Sequence, residues 1–259
     1  MKYKALFLDI DGTIVSYNKP MSENLPTEAV RSSIEKASEI VTVCLATGRP
    51  YFLLEHVLKF LNMKKGYIVI NDGGQVIDIK TKEILYERVM EKADILAAIE
   101  VLRSLSIEFF LNDDEKEREY SADYEPVKPY NIYAPLRYPE EKIDMALDTL
   151  SRLSNIKANK THGGRLGQFG MVISHAEATK MHGIFEVQKL LGVKRDETIG
   201  VGDSGNDFPL LMASGLKVAM GNAIPALKDV ADYIAPSVEE DGVCDVIEKF
   251  ILPKVESTS

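Results

Sequence analysis

Short apolar stretches alternate with helical patterns at both ends of this chain, and this alternation constrains its fold more than any other feature. Residues 5–8 and 40–46 are apolar and strand-like, and a helical spacing of apolar residues begins between them, after Thr27. A second helical spacing follows Pro50 and leads into another strand-like stretch at 67–70. Because parallel strands are joined by right-handed helical crossovers, this part predicts a parallel sheet covered by helices.

The last third of the chain repeats this alternation. Its predicted elements are a helix over 179–191, a strand over 198–201, a helix over 207–213, a strand over 216–219, a short helix near Ile224, a strand at 233–234 and a helix over 243–250. Gly192 directly follows the first of these helices and is a typical stop signal. Together the two ends predict an α/β fold, a Rossmann-like, doubly wound core of residues 1–82 and 176–259.

The order of predicted strands and helices changes over residues 83–175, between the two ends. The predicted elements there are a helix over 93–105, strands over 107–111 and 119–122, a helix over 140–153 and two further strands. Two such units in series predict an inserted α+β domain with an antiparallel sheet. We interpret the charged run at 113–119 as a hairpin loop and the proline-rich stretch at 126–139 as the connection between the units.

Composition and charge exclude several classes of protein. The 259 residues are 45% hydrophobic, which is enough for a sizeable core and excludes general disorder. Lys and Arg total 31 against 40 for Asp and Glu, and the net charge of −9 disfavours binding to nucleic acid. No apolar run reaches the roughly 18 residues of a membrane span, and residues 1–4 lead into a strand rather than a signal peptide. We therefore expect a cytoplasmic protein without nucleic-acid or membrane partners, and its oligomeric state stays open.

The cysteines and histidines do not form a recognisable metal site. Cys44 and Cys244 are far apart and lie in apolar stretches, which favours buried free thiols over a disulfide or a metal pair. The four histidines show none of the short spacings typical of zinc ligands. Any metal bound by this chain is therefore expected to use oxygen ligands.

Two carboxylates end the first predicted strand. Residues 9–13 read Asp-Ile-Asp-Gly-Thr. Asp and Gly are ordinary turn formers, but a chance match to this pattern is expected only on the order of once in several hundred chains of this length. Open α/β sheets bind ligands at the carboxyl ends of their strands, so a functional interpretation is favoured. Asp9 and Asp11 can divide the chemistry, one as nucleophile or metal ligand and the other as proton shuttle.

A second acidic cluster follows another apolar strand. Residues 202–207 read Gly-Asp-Ser-Gly-Asn-Asp, directly after the strand-like residues 199–201. Since the two acids of the first cluster repel each other, a cation is implied, and Asp203 and Asp207 are candidates to help hold it. Hard oxygen ligands without a nearby His or Cys favour Mg²⁺.

These motifs resemble those of the haloacid dehalogenase (HAD) superfamily of phosphohydrolases, and the similarity covers nearly the whole chain. The four motifs occur in the family's order, as residues 9–13, residues 46–50 (Ala-Thr-Gly-Arg-Pro), Thr179 with Lys180, and residues 202–207. The resemblance implies that the insert, residues 83–175, is a cap of the type called C2. The endings at 228–233 and 240–243 are similar to the Cof-type branch, whose members act mostly on sugar phosphates and other small phosphomonoesters.

The resemblance also implies a role for each matched residue. Asp9 would attack phosphorus and form a phosphoaspartyl enzyme, while Asp11 would protonate the leaving alcohol and later activate water. Mg²⁺ would be held by the Asp9 carboxylate, the Asp11 backbone carbonyl and Asp203, with Asp207 supporting it. The phosphoryl oxygens would be held by the backbone at Ile10 and Gly48 and by the side chains of Thr47, Lys180 and Asn206.

Two departures from the family pattern stand out. After Lys180 come Met, His and then Gly183, whereas many relatives have glycine directly after the lysine. Residues 71–74 read Asn-Asp-Gly-Gly where the Cof-type branch usually shows Asn-Gly. The sequence therefore leaves open whether Asn71 or Asp72 faces the substrate.

The sequence as a whole predicts a Mg²⁺-dependent phosphatase that acts through an aspartyl phosphate on small phosphorylated metabolites, with sugar phosphates as the leading class. One alternative is a phosphomutase, which would return the phosphoryl group to the substrate. Another is a regulatory or binding protein that keeps the fold without turnover, although the retained acids and Lys180 disfavour it. None of the motifs lies in the insert, so we expect the insert to choose the substrate.

Overall fold

The computed structural model describes residues 2–18, 20, 22–113, 117–119, 129–162 and 167–253. These residues form two compact units. The first comprises the described residues of 1–49, 53–86 and 179–259, and the second those of 50–52 and 87–178.

The secondary structure follows the predicted alternation. The strands, in chain order, are β1 (Ala5–Leu8), β2 (Thr42–Ala46), β3 (Tyr67–Ile70), β4 (Gln75–Asp78), β5 (Ile84–Glu87), β6 (Phe110–Asn112), β7 (Glu117–Glu119), β8 (Asn131–Tyr138), β9 (Ile156–His162), β10 (Phe169–His175), β11 (Thr198–Gly202), β12 (Leu216–Ala219) and β13 (Tyr233–Ile234). The helices are α1 (Glu28–Ser38), α2 (Glu55–Leu61), α3 (Lys92–Ser104), α4 (Glu140–Leu150), α5 (Lys180–Leu191), α6 (Phe208–Met212), α7 (Pro225–Asp229) and α8 (Gly242–Phe250).

The first unit is built on a mainly parallel sheet with the strand order β13-β12-β11-β1-β2-β3-β4-β5. The strands from β13 to β3 pair in parallel, and β4 runs antiparallel to β3. Both faces of the central strand β1 are buried. Ala5 and Phe7 pack with Ile184 of α5 and Leu210 of α6, while the alternate residues of β1 point to the opposite face and are equally buried. The predicted doubly wound α/β core is confirmed.

Helix α1 forms where the sequence predicts it, for local reasons. The Thr27 hydroxyl accepts a hydrogen bond from the Val30 N–H at 3.2 Å and caps the helix. Val30, Ile34 and Ala37 recur at helical spacing and form its buried stripe. After Pro50 the chain makes a short 3₁₀ turn at Tyr51–Leu53 before α2 begins, so the helix predicted there starts later than Pro50 suggests.

The second unit contains the separate antiparallel sheet that the sequence predicts for the insert. Its strand order is β7-β6-β8-β10-β9, and neighbouring strands pair antiparallel. Helices α3 and α4 belong to the same unit. Its core includes Ile95 and Leu102 of α3, Ile143 of α4, Ile132 of β8 and Ile173 of β10.

The structure corrects the prediction for 126–139. Residues 131–138 are strand β8, in the middle of the sheet, and not a connection. In the sequence, Pro135 favours a connection over a strand, because proline is rare inside a sheet. The pairing of β8 with β10 shifts register between Phe169 and Met171, and this irregularity lies opposite Pro135, which has no N–H to donate.

Two further predictions for the insert concern segments that the structure describes only in part. The charged run at 113–119, interpreted as a loop, contributes strand β7 at its end, and residues 114–116 lie outside the described part of the chain. The strand predicted over 119–122 overlaps β7 only at residue 119, and residues 120–122 also lie outside it.

Both cysteines are free, as predicted. Cys44 is fully buried in β2, but Cys244 on α8 is only partly buried, so the expectation of two buried thiols is wrong for Cys244. Helix α8 is amphipathic, and Cys244 lies beside its buried stripe of Val243, Val246 and Ile247. Within the described residues, no helix has the length and apolar character needed to cross a membrane.

Candidate active site

Buried acidic side chains meet at the carboxyl ends of β1 and β11. The register pairs Leu8 with Val201, so the acids that follow these strands emerge side by side. Asp9, Asp203 and Asp207 each offer one carboxylate oxygen, and these three oxygens lie within 4.8 Å of one another. All three residues are buried. The structure thus brings together acids that the sequence separates by almost two hundred positions.

Lys180 provides the positive charge of this cluster. Its Nζ lies 2.6 Å from Asp9 Oδ1 and 2.6 Å from Asp207 Oδ1, and the residue is 1% exposed. It is the first residue of α5, where Thr179 caps the helix. The helix dipole disfavours a cation at this end, but the two carboxylates compensate for it. Lys180 is therefore a buried member of the cluster and not a solvated surface lysine.

Asp207 binds both Lys180 and the backbone of the loop that carries Asp203. Its Oδ1 binds Lys180, and its Oδ2 accepts hydrogen bonds from the backbone N–H groups of Asp203 and Ser204, both at 3.0 Å. Both carboxylate oxygens are thus bonded to protein groups. Asp207 orients the loop that carries Asp203 and holds the ammonium in place.

Asp203 presents an unsatisfied oxygen. Its Oδ2 lies 3.4 Å from the Tyr17 hydroxyl and 3.4 Å from Asn222 Nδ2, whereas its buried Oδ1 has no hydrogen-bond partner among the described residues. A buried carboxylate oxygen without a partner is costly and rare. A hard cation would satisfy it, so the residues present fit a divalent ion such as Mg²⁺.

The charges and pKa values of the cluster also favour a bound divalent cation. Burial raises the pKa of Asp9 well above its ordinary value, and the negative charge of Asp207 adds to this, although Lys180 lowers it. Burial, followed by the charge of Asp207, raises the pKa of Asp203 to about 7. Three carboxylates face one ammonium group, so all three can ionise together only with an excess of negative charge, which a divalent cation would neutralise.

Gly12 makes room for this arrangement. Its φ is +80°, and a Cβ built on it would lie 2.1 Å from Asp203 Oδ2. A side chain at this position would therefore clash with the acid and strain the backbone. This accounts for the glycine in the first motif.

Asp11 lies outside the acidic cluster, and its carboxylate is bound by Arg49. Arg49 Nε donates to Asp11 Oδ2 at 2.8 Å, and its Nη2 donates to Oδ1, which makes a bidentate pair. Arg49 is 3% exposed and also donates to Asn24 Oδ1 at 3.0 Å and to the Leu53 carbonyl at 3.1 Å. The Asp11 carbonyl accepts a hydrogen bond from the Tyr17 hydroxyl at 2.9 Å.

Sequence reasoning assigned no role to Arg49, Tyr17 or Asn222. Arg49 could have been found, because it directly follows the Thr-Gly pair of the second motif, which the sequence places at the same strand ends as Asp11. Tyr17 and Asn222 carry no comparable signal in the sequence. They reach Asp203 only through the folding of two separate loops.

The predicted phosphate-binding residues lie around the same strand ends. Thr47 follows β2, is buried, and its Oγ1 accepts a hydrogen bond from the Arg49 N–H at 3.1 Å. Ile10 is buried, and its carbonyl accepts hydrogen bonds from the turn after β1. Gly48 and Asn206 flank a further carboxylate, which belongs to Asp72.

Comparison with known proteins identifies the family. The profile of the haloacid dehalogenase-like hydrolases matches residues 6–126 and 113–247 of this chain. The chain belongs to this family. Its relatives include a protein named putative phosphatase YxeH from Bacillus subtilis, 27% identical, with 97% of this chain and 100% of the relative covered. Another is phosphoglycolate phosphatase 1 of Saccharolobus solfataricus, 26% identical, with 96% of each chain covered.

Solved structures share the fold of this HAD hydrolase. A haloacid dehalogenase-like hydrolase from Bacteroides thetaiotaomicron superposes with a TM-score of 0.79 at 23% identity, covering 95% of this chain and 99% of that one. A subclass IIB sugar phosphatase superposes with a TM-score of 0.74 at 22% identity, covering 95% and 98%. The matches together confirm the predicted family and the predicted class of enzyme, a HAD-type phosphatase.

The structure shows how both departures from the family pattern are accommodated. Helix α5 of this HAD hydrolase begins at Lys180 without an adjacent glycine. Gly183 instead lets the helix lie close to β3, since a Cβ there would be 2.4 Å from Val69 Cγ1. Asn71 is buried and donates to Gln75, whereas Asp72 is partly exposed and accepts from Asn206. Asp72 is therefore the residue that faces the candidate site.

Proposed function

We propose that this HAD hydrolase is a Mg²⁺-dependent phosphomonoesterase that forms an aspartyl phosphate on Asp9 and acts on small phosphorylated metabolites, with sugar phosphates as the leading class. The observation that carries the proposal is the buried cluster in which Lys180 bridges two acids while Asp203 keeps one oxygen unsatisfied. Such a site can hold both a divalent cation and the oxygens of a phosphate ester.

The metal assignment uses the residues that the sequence singled out. Mg²⁺ would be held by the carboxylates of Asp9 and Asp203 and by the backbone carbonyl of Asp11, with Asp207 orienting the loop. When bound, the ion would neutralise the cluster and draw charge from the transferring phosphoryl group. The Asp11 carbonyl accepts the Tyr17 hydroxyl, so this hydroxyl would have to turn away or share that oxygen.

The chemistry follows from the remaining side chains. A carboxylate oxygen of Asp9 forms a bond to phosphorus as the bond from phosphorus to the alcohol oxygen breaks, and Asp11 gives that oxygen a proton. Asp11 then takes a proton from water, whose oxygen attacks the phosphorus of the aspartyl phosphate and frees Asp9. Lys180 favours the ionised form of Asp9, against the effect of burial. Together with the backbone at Ile10 and Gly48 and the side chains of Thr47 and Asn206, Lys180 also holds the phosphoryl oxygens.

Arg49 is part of this proposal as a positioning residue. Its bidentate pair fixes the Asp11 carboxylate in one orientation, and its contacts with Asn24 and the Leu53 carbonyl fix Arg49 in turn. To act first as an acid, Asp11 has to loosen its contact with Arg49 when the substrate binds.

The substrate class is supported by relatives of this chain. Those described above include a phosphoglycolate phosphatase, and a sugar phosphatase shares the fold. Both act on small phosphorylated molecules by name. The choice of substrate by residues 83–175, the cytoplasmic location and the absence of nucleic-acid partners stay predictions from the sequence.

The decisive experiment is a screen of phosphate release over many phosphorylated metabolites. We expect turnover with Mg²⁺, loss of activity in EDTA, and slower turnover with Ca²⁺ because Ca²⁺ accepts looser geometry. Asp9→Asn should reduce phosphate release at least about a thousandfold and abolish the phosphoenzyme seen by mass spectrometry. Asp148→Asn is the matched control, since Asp148 on α4 is an exposed acid that pairs with Arg152.

Three results would contradict the proposal. They are full activity in chelator, turnover by Asp9→Asn within tenfold of wild type, and no phosphate release from any compound tested. Conversion of glucose 6-phosphate to the 1-phosphate without release of inorganic phosphate would identify a phosphomutase instead.

A further inference from the structure

A fifth carboxylate lies beside the proposed phosphate-binding groups, and the chemistry proposed above does not use it. Asp72 Oδ1 accepts a hydrogen bond from Asn206 Nδ2 at 3.3 Å. The same oxygen lies 3.1 Å from the position that a Cβ on Gly48 would occupy. Burial lowers the pKa of Lys180, but the charges of Asp207, Asp9 and then Asp72 outweigh this and raise it, so Asp72 is also near the ammonium.

The backbone fixes the position of this carboxylate. Asn71 and Asp72 have φ values of +52° and +55°, a left-handed conformation that Asn and Asp tolerate better than other side chains. The Asn71 N–H donates to the Arg49 carbonyl and the Asp72 N–H to the Thr47 carbonyl, both at 3.1 Å. The turn after β3 is thus tied to the loop after β2, and a strained turn held in this way is typical of functional sites.

Burial shows which side of the site Asp72 occupies. Asp9, Thr47 and Lys180 are buried, so the phosphate pocket is closed on their side. Asp72 is partly exposed and Asn206 is exposed. The part of a substrate that extends from the phosphate toward solvent therefore leaves on the side of the partly exposed acids, which are Asp11 and Asp72.

We propose that Asp72 is a specificity-determining residue, which favours substrates with a hydroxyl group near the phosphoester and disfavours those with a carboxylate there. A carboxylate accepts hydrogen bonds from hydroxyl groups and repels a second negative charge. The inference rests on the proposed function, because it takes the phosphate to bind among Gly48, Lys180 and Asn206. It assigns phosphorylated sugars and polyols to this site, in preference to phosphorylated hydroxy acids.

Two small ligands isolate this effect. 2-Hydroxyethyl phosphate and phosphoglycolate both have a two-carbon group on the phosphate and differ in ending on a hydroxyl or a carboxylate. Repulsion between Asp72 and the phosphate itself is common to both and cancels in the ratio of their dissociation constants. At a partly exposed site, repulsion between two like charges a few ångströms apart weakens binding roughly tenfold.

The experiment measures both dissociation constants by isothermal titration calorimetry with Mg²⁺ present, in an Asp9→Asn background that prevents turnover. Asp72→Asn and Asp72→Gly are added to this background separately. Both replacements accept the left-handed backbone, so the turn is kept while the charge is removed. The matched control is Asp148→Asn, which removes an exposed charge from the second unit.

We expect the Asp9→Asn protein to bind 2-hydroxyethyl phosphate roughly tenfold more tightly than phosphoglycolate, with a smaller ratio at high salt. Both Asp72 variants should bring the ratio to within about twofold, and Asp148→Asn should leave it unchanged. Equal affinities in the Asp9→Asn protein, a ratio that persists in both Asp72 variants, or no binding of either ligand would overturn the inference. Failure of the proposed function would give a different result. The wild type would then release no phosphate from any phosphomonoester, while the ratio of the two dissociation constants would still change as expected.

Discussion

The carboxylate of Asp203 is expected to destabilise the metal-free fold at neutral pH, so that replacing it with an uncharged amide makes the protein more stable. Asp203 is 5% exposed, and its Oδ1 has no partner among the residues that the structure describes. Burial and the charge of Asp207 raise its pKa from the ordinary 3.8 to about 7. The ionised form is therefore less favourable in the folded protein than in the unfolded chain.

The sign and size of the effect follow from these two pKa values. Because the folded pKa is the higher one, the stability that Asp203 contributes is fully present below pH 3.8 and is lost as the pH rises through about 7. A shift of about three pKa units corresponds to roughly 4 kcal/mol by pH 8. Asn cannot ionise, so Asp203→Asn avoids this cost. The contacts with Tyr17 and Asn222 are long, at 3.4 Å, so their loss offsets little of the gain.

The assay is urea unfolding in EDTA at pH 5 and pH 8, followed by circular dichroism because the chain has no tryptophan. Asp203→Asn should raise the free energy of unfolding by about 2 to 4 kcal/mol at pH 8 and by much less at pH 5. With Mg²⁺ in place of EDTA, the wild type should become more stable at pH 8 and the variant should not. Asp148→Asn, the exposed control, should change neither value. A variant that is less stable than wild type at pH 8, or equally affected at both pH values, would refute the reasoning.

Three more predictions concern single side chains. Lys180→Met removes the ammonium between two buried carboxylates and should lower the free energy of unfolding by about 3 to 5 kcal/mol in chemical denaturation at pH 8. Arg49→Lys keeps the charge but loses the bidentate pair with Asp11, and should lower kcat for phosphate release roughly 10- to 100-fold. In native protein at pH 8, a thiol reagent should label Cys244 well before Cys44, because burial raises the pKa of Cys44 to about 12 and excludes the reagent.

Matched control variants show whether these changes in stability and turnover are specific to Lys180 and Arg49. Lys189→Met removes an exposed lysine of the same helix and should leave the stability almost unchanged. Arg31→Lys alters an exposed pair on α1 and should leave turnover unchanged. The reasoning fails if Lys180→Met is as stable as wild type, if Arg49→Lys turns over normally, or if both cysteines react at the same rate before denaturation.

The sequence predicts most elements of the first unit because their signals are local. Thr27 caps α1, Gly192 ends α5 in the left-handed conformation, and apolar residues recur at helical or strand spacing. Each signal involves residues only a few positions apart, so no knowledge of the fold is needed to find it. The same holds for Asp9 and Asp203, which directly follow buried strands.

Strand β8 shows where local signals mislead. Its proline predicts a connection, but the register shift against β10 places Pro135 where no N–H is required. The identity of the partner strand decides this, and the partner lies more than thirty positions away. The hairpin of β4 and β5 was missed as well, since its short strands have little alternation of their own.

By itself, then, the sequence determined the class of fold, the order of the motifs and the acids that end β1 and β11. Only the tertiary structure decided that Lys180 bridges Asp9 and Asp207, that Arg49 binds Asp11 and that Asp72 faces the site. The physical reason is the distance along the chain. Lys180 and Asp9 are 171 positions apart, and Asn206 and Asp72 are 134 apart. Contacts of this kind depend on which strands pair and in which register, and one residue's neighbours in the sequence do not encode them.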